Sequence, residues 1–340
     1  MALTILGIET SCDETAAAVY CQGSGIRSSE LFSQIELHKQ FGGVVPEVAS
    51  RSHLEKIGPI IQKALNSAGC TLDEIDVVAV TNKPGLPGSL LIGLCFAKAI
   101  AWSKQKKLIG VDHLEAHIFS PFLEHDVPFP YVCLTASGGH TSLYLVKGFG
   151  DFCAIAQTLD DAAGEAFDKI AKLINLPYPG GPVIEKLAQE VNFKDFFSYP
   201  RGSNTIKDFS FSGLKTAVLY DLVKRGAYNL QEKKFLKPDD EQFKKQVASS
   251  LLVAIGDIFE QKIKNALKQH PNVKALAFVG GVACNAYLRN RLDEFCKRRN
   301  VQFFKPSGRF CTDNAAMVAF VGFYKAKKKE FSNLHLDILD

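Results

Sequence analysis

The sequence predicts an α/β protein made of two related domains with a ligand cleft between them. Three observations carry this expectation. Short apolar, strand-like runs alternate with segments of helical periodicity along the chain. Two strand–turn–strand segments of similar character open its two halves, as in a duplicated architecture. With 340 residues, 46% of them hydrophobic, the chain can bury a sizeable core and has the length of about two domains.

The elements follow in order. Leu3 to Leu6 starts a strand, and Ile5 to Thr15 followed by Ala16 to Tyr20 reads as strand, polar turn, strand. Ser89 to Trp102 has the apolar spacing of an amphipathic helix, and Leu108 to Val111 reads as a short buried strand. Tyr131 to Leu134, the turn from Thr135 to Ser142, and Leu143 to Val146 repeat the opening pattern. Small residues, hydroxyls and close backbone N–H groups in both turns suit a loop that cradles phosphate or an acyl oxygen. Gly164 to Ile174, Gln242 to Leu267 and Thr312 to Tyr324 are further amphipathic helices. Val273 to Val279 is a buried strand, ending in Gly280-Gly281 ahead of a helix from Ala286 to Lys297, with Arg289 and Arg291 on its exposed face. Those glycines allow close approach of a ligand, and the helix start offers free N–H donors.

Composition excludes several classes of protein. Gly, Lys or Asp interrupts the apolar stretches well before the roughly 20 residues of a membrane span, and the N-terminus begins directly with a strand, so neither anchor nor signal peptide is expected. Nine cysteines without a C-x-x-C pair fit reduced thiols in a cytoplasm. A net charge of +4 gives no strong polyanion-binding field. The basic runs at Lys104 to Lys107, Cys296 to Arg299 and Lys325 to Lys329 read as solvated faces.

The motif richest in chemistry is His113-Leu114-Glu115-Ala116-His117. Two imidazoles four residues apart share one helical face and can share one metal ion. Asp112 with Glu115 has the form of a capping box, so Glu115 is expected to cap the helix, which Pro121 stops. Zinc proteases set their glutamate directly after the first histidine; the His-x-Glu-x-His order here does not. Two histidines without a third ligand leave a metal site and a plain polar face equally open. Asp313 and Asn314, ahead of an apolar helix, have the form of an N-cap.

The corner at Gly280 to Asn285 resembles the adenosine-binding corner of the actin, Hsp70 and sugar-kinase superfamily. A more specific resemblance spans nearly the whole chain. Residues 7–15 (GIETSCDET), 43–53 (GVVPEVASRSH), 84–90 (PGLPGSL), 113–117 (HLEAH) and 137–141 (SGGHT) are followed by 160–169 (DDAAGEAFDK), 178–182 (YPGGP), 209–216 (FSFSGLKT), 280–285 (GGVACN) and 311–314 (CTDN). In these ten ordered blocks the chain resembles the bacterial TsaD family, the tRNA N6-adenosine threonylcarbamoyltransferases once labelled sialoglycoprotein endopeptidases.

That resemblance implies an actin-like ATPase fold, with one domain from 1–128 plus 312–340 and another from 129–311. It implies one divalent metal per subunit, held by His113, His117 and, across the cleft, Asp313. Fe(II) is favoured, with Zn(II) the alternative. It also implies that Thr135, Ala136, Ser137, Gly138 and Gly139, together with Asp168, Gly181 and Asn285, hold threonylcarbamoyl-AMP. The family's reaction transfers the threonylcarbamoyl group to N6 of adenosine 37 in the anticodon loop of tRNAs reading codons that begin with A, releasing AMP. Asp13 and Glu14 are unranked candidates for a base. The implied partners are tRNA, a paralogue resembling TsaB and an ATPase resembling TsaE, with no membrane. The alternatives are an actin-like nucleotide-binding or chaperone module and a metalloprotease. Lys83, Ala315 and Glu185 depart from the family pattern; the last stands where many relatives have a substrate-contacting Asp.

Overall fold

The computed structural model describes residues 2–203 and 207–339, so the outermost positions of the expected domain limits, Met1 and Asp340, lie outside the described residues. The chain divides into two compact units, Met1–Asp126 with Pro306–Asp340, and Val127–Lys305.

The first unit begins with β1 (Thr4–Glu9), β2 (Glu14–Cys21) and β3 (Gly25–Ser33), continues through the short α1 (Ile35–Lys39) and α2 (Pro46–Ala68), then alternates β4 (Val77–Lys83), α3 (Pro87–Ser103), β5 (Lys107–Asp112) and α4 (His113–Phe119). The strands lie in the order β3-β2-β1-β4-β5. β1 to β3 form an antiparallel meander, while β4 and β5 add in parallel beside β1. Parallel pairing requires crossover connections, which α2 and α3 provide.

The second unit repeats this plan. β6 (Tyr131–Ala136), β7 (Thr141–Gly148) and β8 (Asp151–Gln157) form the meander, followed by α5 (Ala163–Leu173), α6 (Gly180–Gln189), α7 (Ser212–Lys224) and a two-residue ladder of β9 (Tyr228–Asn229) with β10 (Lys234–Phe235). The long α8 (Glu241–Gln269) precedes β11 (Ala275–Val279), α9 (Ala286–Lys297) and β12 (Gln302–Phe304). Sheet order is β12-β11-β6-β7-β8, again with two parallel strands on one side of the first strand and an antiparallel pair on the other. The duplication inferred from the two polar turns is therefore a duplication of whole sheets. The chain then re-enters the first unit through α10 (Gly308–Cys311) and α11 (Ala315–Lys327).

In the first unit the sheet is covered on both faces. Ile57, Ile61 and Leu65 of α2 and Leu94 and Ala97 of α3 pack on Leu6, Ile8, Val78 and Val80. On the other face α11 lies very close to β1, since a Cβ at Gly7 would stand 2.4 Å from the Ala315 carbonyl oxygen. Only glycine permits that approach, and it brings the end of β1 beside the start of α11. Beyond α11 the chain covers the sheet edge, with Ser332 N donating to Leu108 O (2.8 Å) and Gly110 N donating to Ser332 Oγ (3.1 Å). In the second unit the buried Phe259 of α8 stands edge-on to Phe278 of β11, Phe209 and Phe211. Each such ring contributes about 2–3 kcal/mol by burial.

Arg289 and Arg291 are half-buried, not exposed as their helical periodicity suggests. Arg291 pairs with Glu260 (2.7 Å) and with Asp257, so its charge is spent within the unit. The basic runs are partly neutralised as well, by Lys104 on Asp73 (2.8 Å) and Lys297 on Asp293 (2.7 Å). None of the nine cysteines forms a disulfide in the structure. Among the described residues no helix is long and apolar enough to cross a membrane.

Candidate metal centre and the glycine-rich loop

β5 ends in Asp112, whose side chain accepts hydrogen bonds from Leu114 N (2.8 Å) and Glu115 N (3.0 Å). That N-cap starts α4 at His113, so the two histidines stack on one face with ring centroids 4.7 Å apart. Their Nε2 atoms converge on Asp313 Oδ1, from His117 at 2.9 Å and from His113 at 3.5 Å. The three ligand atoms lie within 4.8 Å of one another. Two imidazoles and one carboxylate with open positions suit a borderline divalent metal such as Fe(II) or Zn(II).

Asp313 is available because its neighbour does the capping. Asn314 Oδ1 accepts from Met317 N (3.0 Å) and its Nδ2 donates to Thr312 O (2.8 Å), which closes the start of α11. The sequence alone read this pair as a cap, and half of it is one. The triad, expected to close across a cleft, instead lies wholly within the first unit.

Glu115 is not a cap. Asp112 satisfies the first turn, and the Glu115 carboxylate pairs with Lys325 of α11 at 3.1 Å, while Lys325 Nζ also donates to Gly110 O (3.3 Å). The i+2 offset from each histidine turns Glu115 away from the triad and onto α11. Burial pushes its carboxyl above the usual range even though Lys325 pulls it down. A protease base beside the metal is thereby excluded for this residue.

Beneath the triad lies a carboxylate that sequence reading passed over. Glu9, the last residue of β1, has no solvent exposure. Its Oε2 faces His113 Nδ1 (3.2 Å) and accepts from Thr81 Oγ1 (2.6 Å), while Oε1 accepts from Ser11 N (2.5 Å). Burial disfavours its charge, but the His113 imidazolium more than offsets this and holds the carboxyl below its ordinary value. His113 rises in turn to about 9, because Asp313 and Glu9 overcome the desolvation that would lower it. The pocket thus attracts positive charge, a proton or a metal. The available signal was a charged residue ending an otherwise apolar strand.

The neighbouring loop is tightly braced. Thr15 Oγ1 bonds to His53 Nδ1 (2.8 Å), whose Nε2 reaches Cys12 O (2.9 Å), and Leu86 N donates to Ser11 O (2.8 Å). The blocks at 43–53 and 84–90 therefore serve the first loop. Burial, aided by Asp13 and Asp313, raises the Glu14 carboxyl well above its ordinary value.

In the second unit, Thr135 and Ala136 lie inside β6, paired to Ser142 and Thr141 of β7, with Thr135 also in register with Val279. They are buried strand residues, because β6 is a central strand with partners on both sides, and the turn proper comprises Ser137, Gly138 and Gly139. Ser137 N donates to His140 O (2.8 Å) and Gly164 N to Ser137 O (3.1 Å), so the turn sits against the start of α5. Gly138, Gly139 and Gly181 each face open space where a Cβ would stand, whereas Gly180 is pressed on Ala171.

Asp168 Oδ1 accepts from Gly180 N (2.7 Å), capping α6; burial raises its carboxyl despite this bond. Asn285 Oδ1 accepts from Leu288 N (2.9 Å), capping α9. Glu185 Oε1 accepts from Tyr287 N (3.0 Å) and ties α6 to α9. Gly280, at φ +92°, has no room for a Cβ, which would stand 2.4 Å from Ala136 O. It turns the chain across the carboxyl ends of β6 and β11, where ligands bind in sheets of this kind. Beside Glu185 and Tyr287 opens a cavity of about 580 Å³, also lined by Phe193, Glu260 and Arg291.

The family model described as TsaD, tRNA N6-adenosine threonylcarbamoyltransferase, matches residues 25–320. The chain belongs to the TsaD family. Relatives named tRNA N6-adenosine threonylcarbamoyltransferase include one from Thermodesulfovibrio yellowstonii, 46% identical over 98% of this chain and 98% of its own. Another, from Brachyspira hyodysenteriae, is 44% identical over 98% of this chain and 95% of its own. TsaD membership makes the chain a transferase of tRNA modification. Among solved structures, HypF from T. kodakarensis matches with a TM-score of 0.63 at 15% identity, covering 97% of this chain and 48% of that one. The Acidaminococcus fermentans (R)-2-hydroxyglutaryl-CoA dehydratase component A matches at 0.51 and 14% identity, over 96% and 99%. Both share the actin-like fold, as expected from the TsaD resemblance.

Proposed function

We propose that this enzyme transfers the threonylcarbamoyl group of threonylcarbamoyl-AMP to N6 of adenosine 37 in tRNAs that read codons beginning with A. The observation that carries this reading is the two-histidine, one-aspartate donor set in a TsaD-family chain whose second unit leaves three glycine faces open. The N6 amine attacks the carbamoyl carbon, a C–N bond forms, the C–O bond to phosphate breaks, and AMP departs. AMP is a good leaving group, so the protein's task is to orient the acyl group, bind developing negative charge and exclude water.

The amides of Gly138 and Gly139 donate to phosphate or carbamoyl oxygen. Asp168, with one oxygen on Gly180 N, turns the other to ribose hydroxyls; the open face of Gly181 admits the ligand, and Asn285 offers its amide N–H beside the cap. A cavity of about 580 Å³ is of a size for the adenosine end. Thr135 and Ala136 contribute by fixing the strand from which the turn springs. His113, His117 and Asp313 would hold the metal, Fe(II) before Zn(II). When bound, it supplies Lewis acidity toward the acyl group. Asp13 and Glu14 are the two candidates to accept the proton of the amine, and burial, with Asp13 and Asp313 nearby, raises the Glu14 carboxyl above its ordinary value.

The modest net charge supports shared tRNA binding with a TsaB-like paralogue and a TsaE-like ATPase, and cysteines outside any disulfide support a cytoplasmic setting. The test is direct. Purified protein with these partners, threonylcarbamoyl-AMP and tRNA should release AMP and yield the modified adenosine; absence of AMP release refutes the reading.

A further inference from the structure

Glu9 is not one of the three ligands, yet it is the most deeply buried acid around the triad. A carboxylate without solvent is costly unless donors surround it, and here backbone, hydroxyl and imidazole donors converge from Ser11, Thr81 and His113. His113 also faces Asp313, through its other ring nitrogen at 3.5 Å. The two nitrogens of that ring therefore have different duties. Nδ1 faces Glu9, with Ser11 Oγ also 3.1 Å away, and Nε2 faces Asp313 at the ligand position. His117 has no such support, since its buried Nδ1 has no hydrogen-bond partner among the described residues.

We propose that Glu9, held by Thr81, is a positioning residue of the metal centre: it fixes the tautomer and ring orientation of His113 and supplies the second negative charge that a divalent cation balances. Resting on the metal reading above, this assigns to the 7–15 block a role in metal affinity. Two carboxylates and two neutral imidazoles sum to a charge of about −2, which matches M(II) and favours it over M(I). The carboxylate–histidine–metal relay also makes Nε2 a more basic ligand.

The experiment is a Co(II) titration of the full-length, metal-depleted chain against a competing chelator, with the visible absorption of the bound ion recorded. Wild type, Glu9→Gln and Thr81→Val are compared, together with thermal unfolding of each without metal. Glu9→Gln should bind Co(II) about 10–100-fold more weakly and shift the absorption bands. Thr81→Val, which removes one hydrogen bond to Glu9, should weaken binding by about 5-fold. If wild type takes up no Co(II), the metal reading fails and this inference with it. If wild type binds and both variants match it in affinity and spectrum, only the positioning role is overturned. Loss of thermal stability with an unchanged spectrum also overturns it, because a purely structural Glu9 would behave that way. Should Glu9→Gln fail to fold, Thr81→Val decides alone, and wild-type affinity there refutes the proposal.

Discussion

Replacing Lys325 with Met tests how α4 and α11 are locked together. Glu115 and Lys325 stand 3.1 Å apart, with side-chain exposures of 9% and 23%. At an effective dielectric of about 20, two charges at that distance attract by about 5 kcal/mol, of which desolvation returns a large part. Met preserves most of the stem's packing, so the substitution chiefly strands a buried carboxylate, for a loss of about 3 kcal/mol at neutral pH. The pH dependence has a definite sign. Burial already holds the Glu115 carboxyl above its ordinary value, and removing Lys325 raises it further. A raised folded-state value means the stabilising protonated form is fully populated below the unfolded value of 4.5 and is lost as pH rises through the folded value. The deficit of Lys325→Met should therefore shrink as pH falls from 7 towards 4.5. Urea denaturation at several pH values measures it, and the Glu115→Gln/Lys325→Met double variant should recover most of the loss. A deficit under about 0.5 kcal/mol, or one independent of pH, would refute the assignment of Glu115 as a buried strut.

His117→Ala should lower bound metal from about one per chain to near zero by elemental analysis, since two remaining donors hold a divalent ion poorly. Metal must displace the proton that His113 keeps up to about 9, so affinity measured by calorimetry should rise about tenfold per pH unit from 7 to 9 and then level off. Gly280→Ala combines φ +92° with a Cβ 2.4 Å from Ala136 O and should cost about 3 kcal/mol in chemical denaturation. Gly181→Ala, which meets nothing within 4 Å, should change stability by less than about 0.5 kcal/mol while weakening adenylate binding in an equilibrium assay.

Periodicity and punctuation sufficed for much of the architecture. The helix expected from Ser89 to Trp102 spans Pro87–Ser103, and the one expected from Gln242 to Leu267 spans Glu241–Gln269. The paired polar turns foretold the repeated sheets, because a tight turn between strands leaves its composition in consecutive residues. His113 and His117 were legible for the same reason: helix geometry maps a spacing of four onto one face. Asp313 was visible only through family resemblance, for nothing local separates it from the cap that Asn314 forms.

The sequence by itself determined the α/β class, the duplication, the two-histidine face and the glycine-bearing turns, all of them properties of residues within a few positions of one another. Only the tertiary structure decided that Glu115 pairs with Lys325 instead of capping, that Thr135 and Ala136 belong to a strand, that Arg291 is neutralised, and that Glu9 lies under His113. Each of these depends on which partner a side chain meets from a distant segment. Glu9 and His113 are separated by 104 residues, and what unites them is the parallel addition of β4 and β5 beside β1. That pairing places the carboxyl ends of the three strands side by side, and no local pattern records it.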